Sequence, residues 1–174
     1  QAQRALSLLQ TVDALDGKPR SGSEQARDQF LSQARFMSLL PEARELFDLN
    51  RETPETRKRY GHKLLGQSAL LARRLVEGGV RTVLVRYKGW DHHVGITRAL
   101  TYGFPPKLEA LDQAVTALHE DLTRRGLDER VTVVLASEFG RTPRINPRGG
   151  RDHWARASSV LLFGGGLRRG VVVG

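Results

Sequence analysis

The spacing of hydrophobic residues changes about halfway along the chain. In the first half, apolar residues recur three to four positions apart between polar breaks, most regularly over residues 64–76, which predicts a helix. Thr53 followed by Pro54 is typical of a helix N-cap with proline in the first turn, and residues 17–22 predict a loop. Residues 1–78 are therefore predicted to be a helical scaffold.

The second half predicts strands around one long helix. The apolar runs that predict strands are residues 80–87, 131–136 and 158–163, with a further candidate at residues 171–173. The helix begins at Pro105-Pro106, ends at Gly126 and places Leu108, Leu111, Val115, Leu118 and Leu122 on one face. Continuous apolar strands with a covering helix are typical of a parallel sheet buried on both faces, so an α/β fold is expected.

The chain has 174 residues, enough for one hydrophobic core, and we predict one domain over residues 1–174, with the functional site in residues 79–174. It starts with Gln rather than Met, and residues 170–174 resemble an interrupted strand, so we expect a fragment that is incomplete at the amino-terminal side. No run of about 18 apolar residues is present, so no membrane span is predicted.

Composition narrows the chemistry of any site. The chain has no cysteine, so a metal would be bound by His, Asp or Glu. The formal net charge of +9 suits an anionic small molecule, a membrane surface or nucleic acid. Arg73 and Arg74 are predicted to lie near the negative end of the dipole of the 64–76 helix.

Three polar clusters lie next to the predicted strands: GWDHH at residues 89–93, SEFGR at 137–141 and GRDHW at 150–154. Ligands of open α/β sheets bind at the carboxyl ends of the strands, so these clusters are expected to converge. The candidate metal ligands are Asp91, His93, Glu138, Asp152 and His153, which suit zinc, manganese or magnesium. Only one of the adjacent His92 and His93 is expected to face the site. Taken singly, each cluster is more typical of packed, hydrogen-bonded residues than of metal ligands, and their joint placement at strand ends is what favours a metal site.

Arginines are concentrated between the second and third clusters. They are Arg141, Arg144, Arg148, Arg151 and Arg156. A guanidinium group pairs bidentately with phosphate or sulfate oxygens. Arg141 and Arg151 are nearest to the candidate ligands and are predicted to bind an anion, whereas Arg144 and Arg148 are predicted to be solvated.

The ordered motifs GWDHH, SEFGRTPRIN and GGRDHW, with ARRLVEGGVRTVLV upstream and LLFGGGLRRGVVVG downstream, carry a family resemblance. The chain resembles the carboxyl-terminal portion of bacterial domain-of-unknown-function family fifteen-oh-one, a sulfatase-like family placed in the alkaline phosphatase superfamily. This resemblance implies an α/β/α sandwich with a mainly parallel sheet. It also implies a divalent metal (zinc, manganese, magnesium or calcium) on strand-end loops.

The superfamily's ligands carry over where the residues match. Its Asp and His after a strand are similar to Asp91 and His93, at a closer spacing than usual, and its late, isolated His is similar to His153. Its middle Asp-His pair corresponds to Glu138-Phe139, which keeps the carboxylate and lacks the imidazole. A second metal would therefore lack its usual histidine.

The resemblance also concerns the nucleophile and the location of the protein. In the superfamily the nucleophile lies near the start of the domain, upstream of this chain. Ser137, Thr142 and Thr97 are local hydroxyls without an adjacent base, and none is assigned that role. Relatives often carry a twin-arginine export signal, which implies an extracytoplasmic location, periplasmic or secreted, for the full-length protein.

Three functions follow as expectations. The first is metal-dependent hydrolysis of a sulfate or phosphate ester, with an anionic small molecule or a polysaccharide ester as substrate. The second is a non-catalytic protein that binds an anionic ligand on the same fold. The third is a basic nucleic-acid-binding protein, which the 6% aromatic content and the lack of a helix-turn-helix or zinc-finger pattern disfavour.

Overall fold

A computed structural model describes residue 22, residues 41–168 and residues 170–173. The chain divides into two units, residues 1–51 and residues 52–174. The described part of the first unit contains helix α1 (Pro41–Phe47) and a 3-10 helix (Leu49–Arg51). The loop predicted at residues 17–22 lies outside the described residues, apart from its last position.

In the second unit, helices precede strands. The helices are α2 (Pro54–Tyr60), α3 (Leu64–Glu77), the short α4 (Ile96–Arg98) and α5 (Pro105–Arg124), with a π-helical turn (Ala99–Gly103) between α4 and α5. The strands are β1 (Thr132–Ala136), β2 (Gly140–Arg141), β3 (His153–Trp154) and β4 (Val160–Gly164). The domain organisation predicted from the sequence stays a prediction.

The predicted helix starts at α2 and α3 are confirmed. Thr53 caps α2, since its hydroxyl oxygen accepts a hydrogen bond from the Thr56 backbone N–H at 3.1 Å, and Pro54 occupies the first turn. Helix α3 then packs tightly against the end of α2. A Cβ at Gly66 would lie 1.9 Å from the Tyr60 carbonyl oxygen, so only glycine allows this approach.

Helix α5 is also confirmed, but its buried face overlaps only partly with the predicted one. The fully buried positions are Ala110, Ala114, Ala117, Asp121 and Leu122, whereas Leu108 is 52% exposed. Alanines let α5 approach α2 and α3 closely, because helices with small contact residues can pack at short interaxial distances. The alanines therefore form most of the buried face of α5, and Leu122 is the member of the predicted leucine face that is buried with them.

A buried ion cluster joins the helices. Arg73 of α3 is 1% exposed; its NH2 lies 2.7 Å from Glu52 Oε2, its NH1 2.7 Å from Glu77 Oε2 and its Nε 3.0 Å from Asp121 Oδ2. The NH2 and Nε contacts are ionic pairs rather than aligned hydrogen bonds. Tyr60 donates a hydrogen bond to Asp121 Oδ2 at 3.1 Å. Arg73 thus balances charge in the helical core, whereas Arg74 lies in the last turn of α3, as predicted.

The pKa values in this cluster follow from burial and charge. Burial opposes ionisation of Glu52, but the ion pair with Arg73 and the hydrogen bond from Arg74 outweigh it and hold the pKa of Glu52 below its usual value. Burial, reinforced by the nearby charge of Asp121, raises the pKa of Tyr60. Glu52 therefore stays charged and the Tyr60 phenol stays neutral across the physiological range.

Both sheets in the described residues are two-stranded and antiparallel. Strand β1 pairs with β4, with Val134 opposite Leu162, and β2 pairs with β3, with Arg141 opposite His153. Strand β4 begins two residues later than the 158–163 run predicted. The described ladders contain no parallel pair, so they give no support to the mainly parallel α/β/α sandwich. That architecture stays a prediction.

Two strands predicted from apolar runs were wrong. Residues 80–87 are irregular, and their exposure alternates along much of the segment, with Leu84 84% exposed. Alternation of this kind is typical of extended backbone, but a strand also requires a neighbour to accept and donate ladder hydrogen bonds. No such neighbour lies among the described residues. Residues 171–173 are likewise irregular, and Val172 is 99% exposed.

None of the described helices is long and apolar enough to cross a membrane.

Candidate metal centre

Two segments form the site, one at residues 91–96 and one running from β2 to β3. The backbone joins them. Val94 bridges Gly149, the Ile96 N–H donates to the Gly149 carbonyl at 2.7 Å, and the Arg151 N–H donates to the His92 carbonyl at 3.0 Å. The predicted convergence of the first and third polar clusters is therefore observed, although a loop contact rather than a parallel sheet edge produces it.

Glycine allows this close contact. A Cβ at Gly150 would lie 2.0 Å from the His93 carbonyl carbon, and Gly149 has a φ of 71°. Any side chain at Gly150 would push the two segments apart, and a non-glycine residue at 149 would be strained.

Asp91, His93 and His153 form a compact group that we call the metal group. Each offers one ligand atom, and these atoms all lie within 4.8 Å of one another. The Nε2 atoms of His93 and His153 are 3.0 Å apart, and they lie 3.0 Å and 3.2 Å, respectively, from Asp91 Oδ1. Ligand atoms about 2.0–2.1 Å from a zinc ion are separated by roughly 2.9–3.4 Å, so the residues fit a divalent ion.

Asp152 orients one of the imidazoles. His93 Nδ1 lies 2.9 Å from Asp152 Oδ1, a separation at which a ring N–H donates to the carboxylate. This tautomer leaves Nε2 of His93 with a free lone pair facing the metal group. Carboxylate–histidine pairs of this kind raise the basicity of the ligand nitrogen. Of the roles considered for Asp152, the geometry favours positioning His93 over direct ligation.

Electrostatics keep both carboxylates of the site ionised. Hydrogen bonds from Arg141 and from His153 hold the pKa of Asp91 below its usual value. For Asp152, hydrogen bonds from His93 and from Asn146 lower the pKa in the same way. A cation would therefore meet two negative charges close to its imidazole ligands.

The two predicted anion-binding arginines are anchored beside the metal group. Arg141 contacts the Asp91 carboxylate, donates to the Arg151 carbonyl at 3.3 Å and has a 26% exposed side chain. Arg151 NH1 donates to the Thr142 carbonyl at 3.0 Å. Arg144 and Arg148 are exposed, as predicted for solvated residues.

His153 is held by aromatic packing. Its ring centroid lies 4.0 Å from that of Phe139 and 4.6 Å from that of His93. Phe139, the residue after Glu138, therefore packs against the His153 ring. Glu138, the neighbouring candidate ligand, is exposed and lies outside the metal group.

The adjacent histidines have different surroundings. His93 belongs to the metal group, whereas the His92 ring packs edge-on against Phe104 with centroids 4.7 Å apart. The His92 ring lines a cavity next to the site, and its buried Nε2 has no hydrogen-bond partner among the described residues.

The local hydroxyls are hydrogen-bonded to the backbone. Ser137 donates to the Phe139 carbonyl at 3.0 Å, and Thr142 donates to the Arg144 carbonyl at 2.9 Å while accepting from the Asp152 N–H at 3.1 Å. Thr97 is exposed. These contacts give Ser137 and Thr142 structural tasks and no neighbouring base.

Asn146 is the functional residue that the sequence analysis missed. Its Nδ2 donates to the His93 carbonyl at 3.1 Å and to Asp152 Oδ1 at 3.0 Å, while its Oδ1 accepts from the backbone N–H groups of Arg148 and Gly150 at 3.0 Å and 2.9 Å. Asn side chains often accept hydrogen bonds from backbone N–H groups a few residues on. An Asn two residues before an Arg-Gly-Gly turn is therefore the sequence signal that could have identified Asn146.

Replacing Asn146 by alanine is expected to weaken zinc binding by about 10–100-fold, since the change removes the support of both Asp152 and the His93 backbone. Isothermal titration with zinc measures the loss. Arg144→Ala, which removes an exposed side chain of the same loop, is the matched control and is expected to bind like the unmutated chain. Equal zinc affinity in both variants would contradict the role given to Asn146.

Comparison with known proteins identifies a family. No curated protein and no solved structure matches the chain. A family model, described as "Protein of unknown function (DUF1501)", matches residues 1–174 and thus agrees with the resemblance carried by the three ordered motifs. The chain therefore belongs to the DUF1501 family.

Proposed function

We propose that this chain carries the metal centre of a metal-dependent hydrolase of sulfate or phosphate esters. The observation that supports it best is the metal group itself, where the carboxylate oxygen of Asp91 and the imidazole nitrogens of the nearby His93 and the distant His153 lie 3.0–3.2 Å apart.

The donor set favours some metals over others. Two imidazoles and one carboxylate suit zinc or manganese better than magnesium or calcium, which prefer oxygen ligands. A divalent ion bound there would polarise an ester oxygen as a Lewis acid. Asp152 would keep His93 in its ligating tautomer, and Phe139 would keep the His153 ring in place.

Arg141 and Arg151 would bind the anionic head group. Arg141 already bridges the metal group and the third polar cluster, through the Asp91 carboxylate and the Arg151 carbonyl. Guanidinium groups next to a metal offset the negative charge that builds on ester oxygens during cleavage. Because both are half-buried and anchored, little ordering entropy would be lost when an anion binds.

No residue of this chain is proposed as the nucleophile. Ser137 and Thr142 are hydrogen-bonded to backbone carbonyls, so we place the nucleophile outside this chain, as the family resemblance implies. We propose, as the same resemblance implies, that the full-length protein lies outside the cytoplasm, and fractionation of the bacterial cells would test that location.

Hydrolysis of 4-nitrophenyl sulfate and 4-nitrophenyl phosphate by the full-length protein tests the function. With zinc or manganese bound, release of 4-nitrophenol is expected from at least one ester, and His93→Ala is expected to reduce it more than about 100-fold because one ligand is lost. Glu138→Ala, at an exposed position outside the metal group, is the control. A fully metal-loaded protein that hydrolyses neither ester would contradict the proposal.

The second candidate is a protein that binds an anion without turnover. The hydrogen bonds of Ser137 and Thr142 to the backbone favour it, since neither hydroxyl stands ready to react. Sulfate binding by the metal-loaded full-length protein, without hydrolysis of either ester, would support this candidate. Nucleic-acid binding is less favoured, because the chain has only 6% aromatic residues and no helix-turn-helix or zinc-finger pattern.

A further inference from the structure

A cavity of about 210 Å³ adjoins the metal group. Arg141 connects the two, because it lines the cavity and also contacts Asp91. Most of the wall is apolar and comes from Trp90, Ile96, Leu100 and Phe104. We call it the aromatic cavity. The proposed ester chemistry leaves it without a role.

The wall is rigid where it is aromatic. The Trp90 and Phe104 rings have centroids 5.4 Å apart, and Tyr87 meets Trp90 edge-on at 5.5 Å. Lys107 supports this stack, with Nζ 5.6 Å from the Trp90 ring centroid and a 2.8 Å hydrogen bond to the Lys88 carbonyl. Preformed apolar walls of this kind are typical of small-molecule sites.

The opposite wall comes from an irregular helix. The turn Ala99–Gly103 is π-helical, and the Phe104 N–H donates to the Ala99 carbonyl at 2.7 Å. Single π-helical turns are found frequently at functional sites. Here the turn presents Leu100 to the cavity, and this side chain is still 60% exposed, so the cavity is open to solvent on that side.

The rim carries positive charge. Arg141 and Arg151 both line the cavity, and both stand on the loop that supplies His153. An apolar pocket with arginines at one end suits an amphiphilic anion. A hydroxyl-rich sugar would fit poorly, because hydroxyls against these rings would lose their hydrogen bonds to water without replacement.

From these features we infer that the chain binds anions whose non-ionic part is aromatic, with the ring in the aromatic cavity and the anionic group between Arg141, Arg151 and the metal group. A cavity of about 150 Å³ is known to hold benzene, so about 210 Å³ is enough for one aromatic ring and part of its substituent. The inference rests on the proposed function in one respect, namely that the anionic group lies at the metal group. It narrows the substrates to aryl esters.

Binding of three probes to the full-length, zinc-loaded protein tests the inference: benzenesulfonate, methanesulfonate and inorganic sulfate, none of which can be hydrolysed as an ester. Benzenesulfonate and methanesulfonate have the same anionic sulfonate group, but only benzenesulfonate carries an aromatic ring. Because this chain contains two tryptophans, Trp154→Phe leaves Trp90 as its reporter, and isothermal titration of the unmutated protein provides an independent affinity. Benzenesulfonate is expected to bind at least about tenfold more tightly than methanesulfonate, because its ring buries apolar surface.

Two variants locate the effect. Leu100→Asp puts a charge on the cavity wall at a position that is 60% exposed, so the fold should be kept. It is expected to reduce the preference for benzenesulfonate to less than about twofold, because the ring would lie against a carboxylate. Leu64→Asp, at a leucine that is 85% exposed and outside the cavity, is the matched control and is expected to keep the full preference.

Each result bears on one of the two proposals. Equal binding of the two sulfonates, or a preference that survives Leu100→Asp, would overturn the aromatic cavity even if the protein hydrolyses esters. A benzenesulfonate preference that is lost in Leu100→Asp would support the cavity even if neither 4-nitrophenyl ester is hydrolysed. The failure of one proposal is thus distinguishable from the failure of the other.

Discussion

Replacing Asp91 and His153 together by alanine is expected to reduce zinc affinity by more than about 100-fold, the upper end of the loss caused by removing an outer hydrogen-bond partner alone. The variant removes two of the three ligand atoms that lie within 4.8 Å of one another. Both side chains are about half exposed, at 56% and 46%, so the fold should survive the change. Isothermal titration measures the affinity, and circular dichroism checks the fold.

Glu138→Ala is the matched control for that experiment. Glu138 was a candidate ligand in the sequence, but it is exposed and lies outside the metal group, so its removal should leave zinc affinity unchanged. A loss in Glu138→Ala similar to that in the double variant would show that the ligand set differs from the observed group. Unchanged affinity in the double variant would contradict the site altogether.

Replacing Arg73 by methionine is expected to destabilise the protein by about 3–5 kcal/mol, because the variant leaves the carboxylates of Glu52, Glu77 and Asp121 without their shared cation. Urea unfolding followed by circular dichroism measures the free energy of unfolding. Arg73→Lys keeps the charge but offers one nitrogen where three are used, so an intermediate loss is expected.

The control for Arg73 is an arginine at the surface. Arg124 is 53% exposed and lies 3.6 Å from Glu120 and 3.9 Å from Asp121, so its replacement by methionine should change the free energy of unfolding by less than about 1 kcal/mol. Losses of similar size in Arg73→Met and Arg124→Met would contradict the central position given to Arg73.

The sequence predicted the helices better than the strands, for a physical reason. Hydrogen bonds of a helix lie within the segment, so the regular spacing over residues 64–76 was enough to predict α3. A strand depends on its neighbour, and the apolar run at residues 80–87 carries no information about whether one is present. The antiparallel pairing of β1 with β4 was missed for the same reason.

Arg73 shows which signal was overlooked in the helical half. It lies four residues after Ala69 and eight after Leu65, on the buried face of α3. A charged residue at a buried helical position indicates a partner in the core, because an unpaired buried charge is too unfavourable. Its partners Glu52 and Asp121 lie 21 and 48 residues away along the chain, so spacing could not identify them.

The sequence was enough to predict the ligand side chains of the site, but not the residues that hold those ligands in position. Asp91, His93 and His153 were candidate ligands because of their side chains, and the structure brings these three together. Asn146 contributes through hydrogen bonds to a backbone carbonyl and to Asp152, and those depend on how the loop folds back. The exposure of Glu138 follows from the backbone turn after β1, which an apolar run does not determine.

Elemental analysis of the unmutated full-length protein, purified without chelator, tests the metal centre most directly. We expect about one zinc or manganese ion per chain, released by a chelator and restored on addition of the metal. A folded protein that contains no metal, and takes up neither zinc nor manganese when they are added, would contradict it.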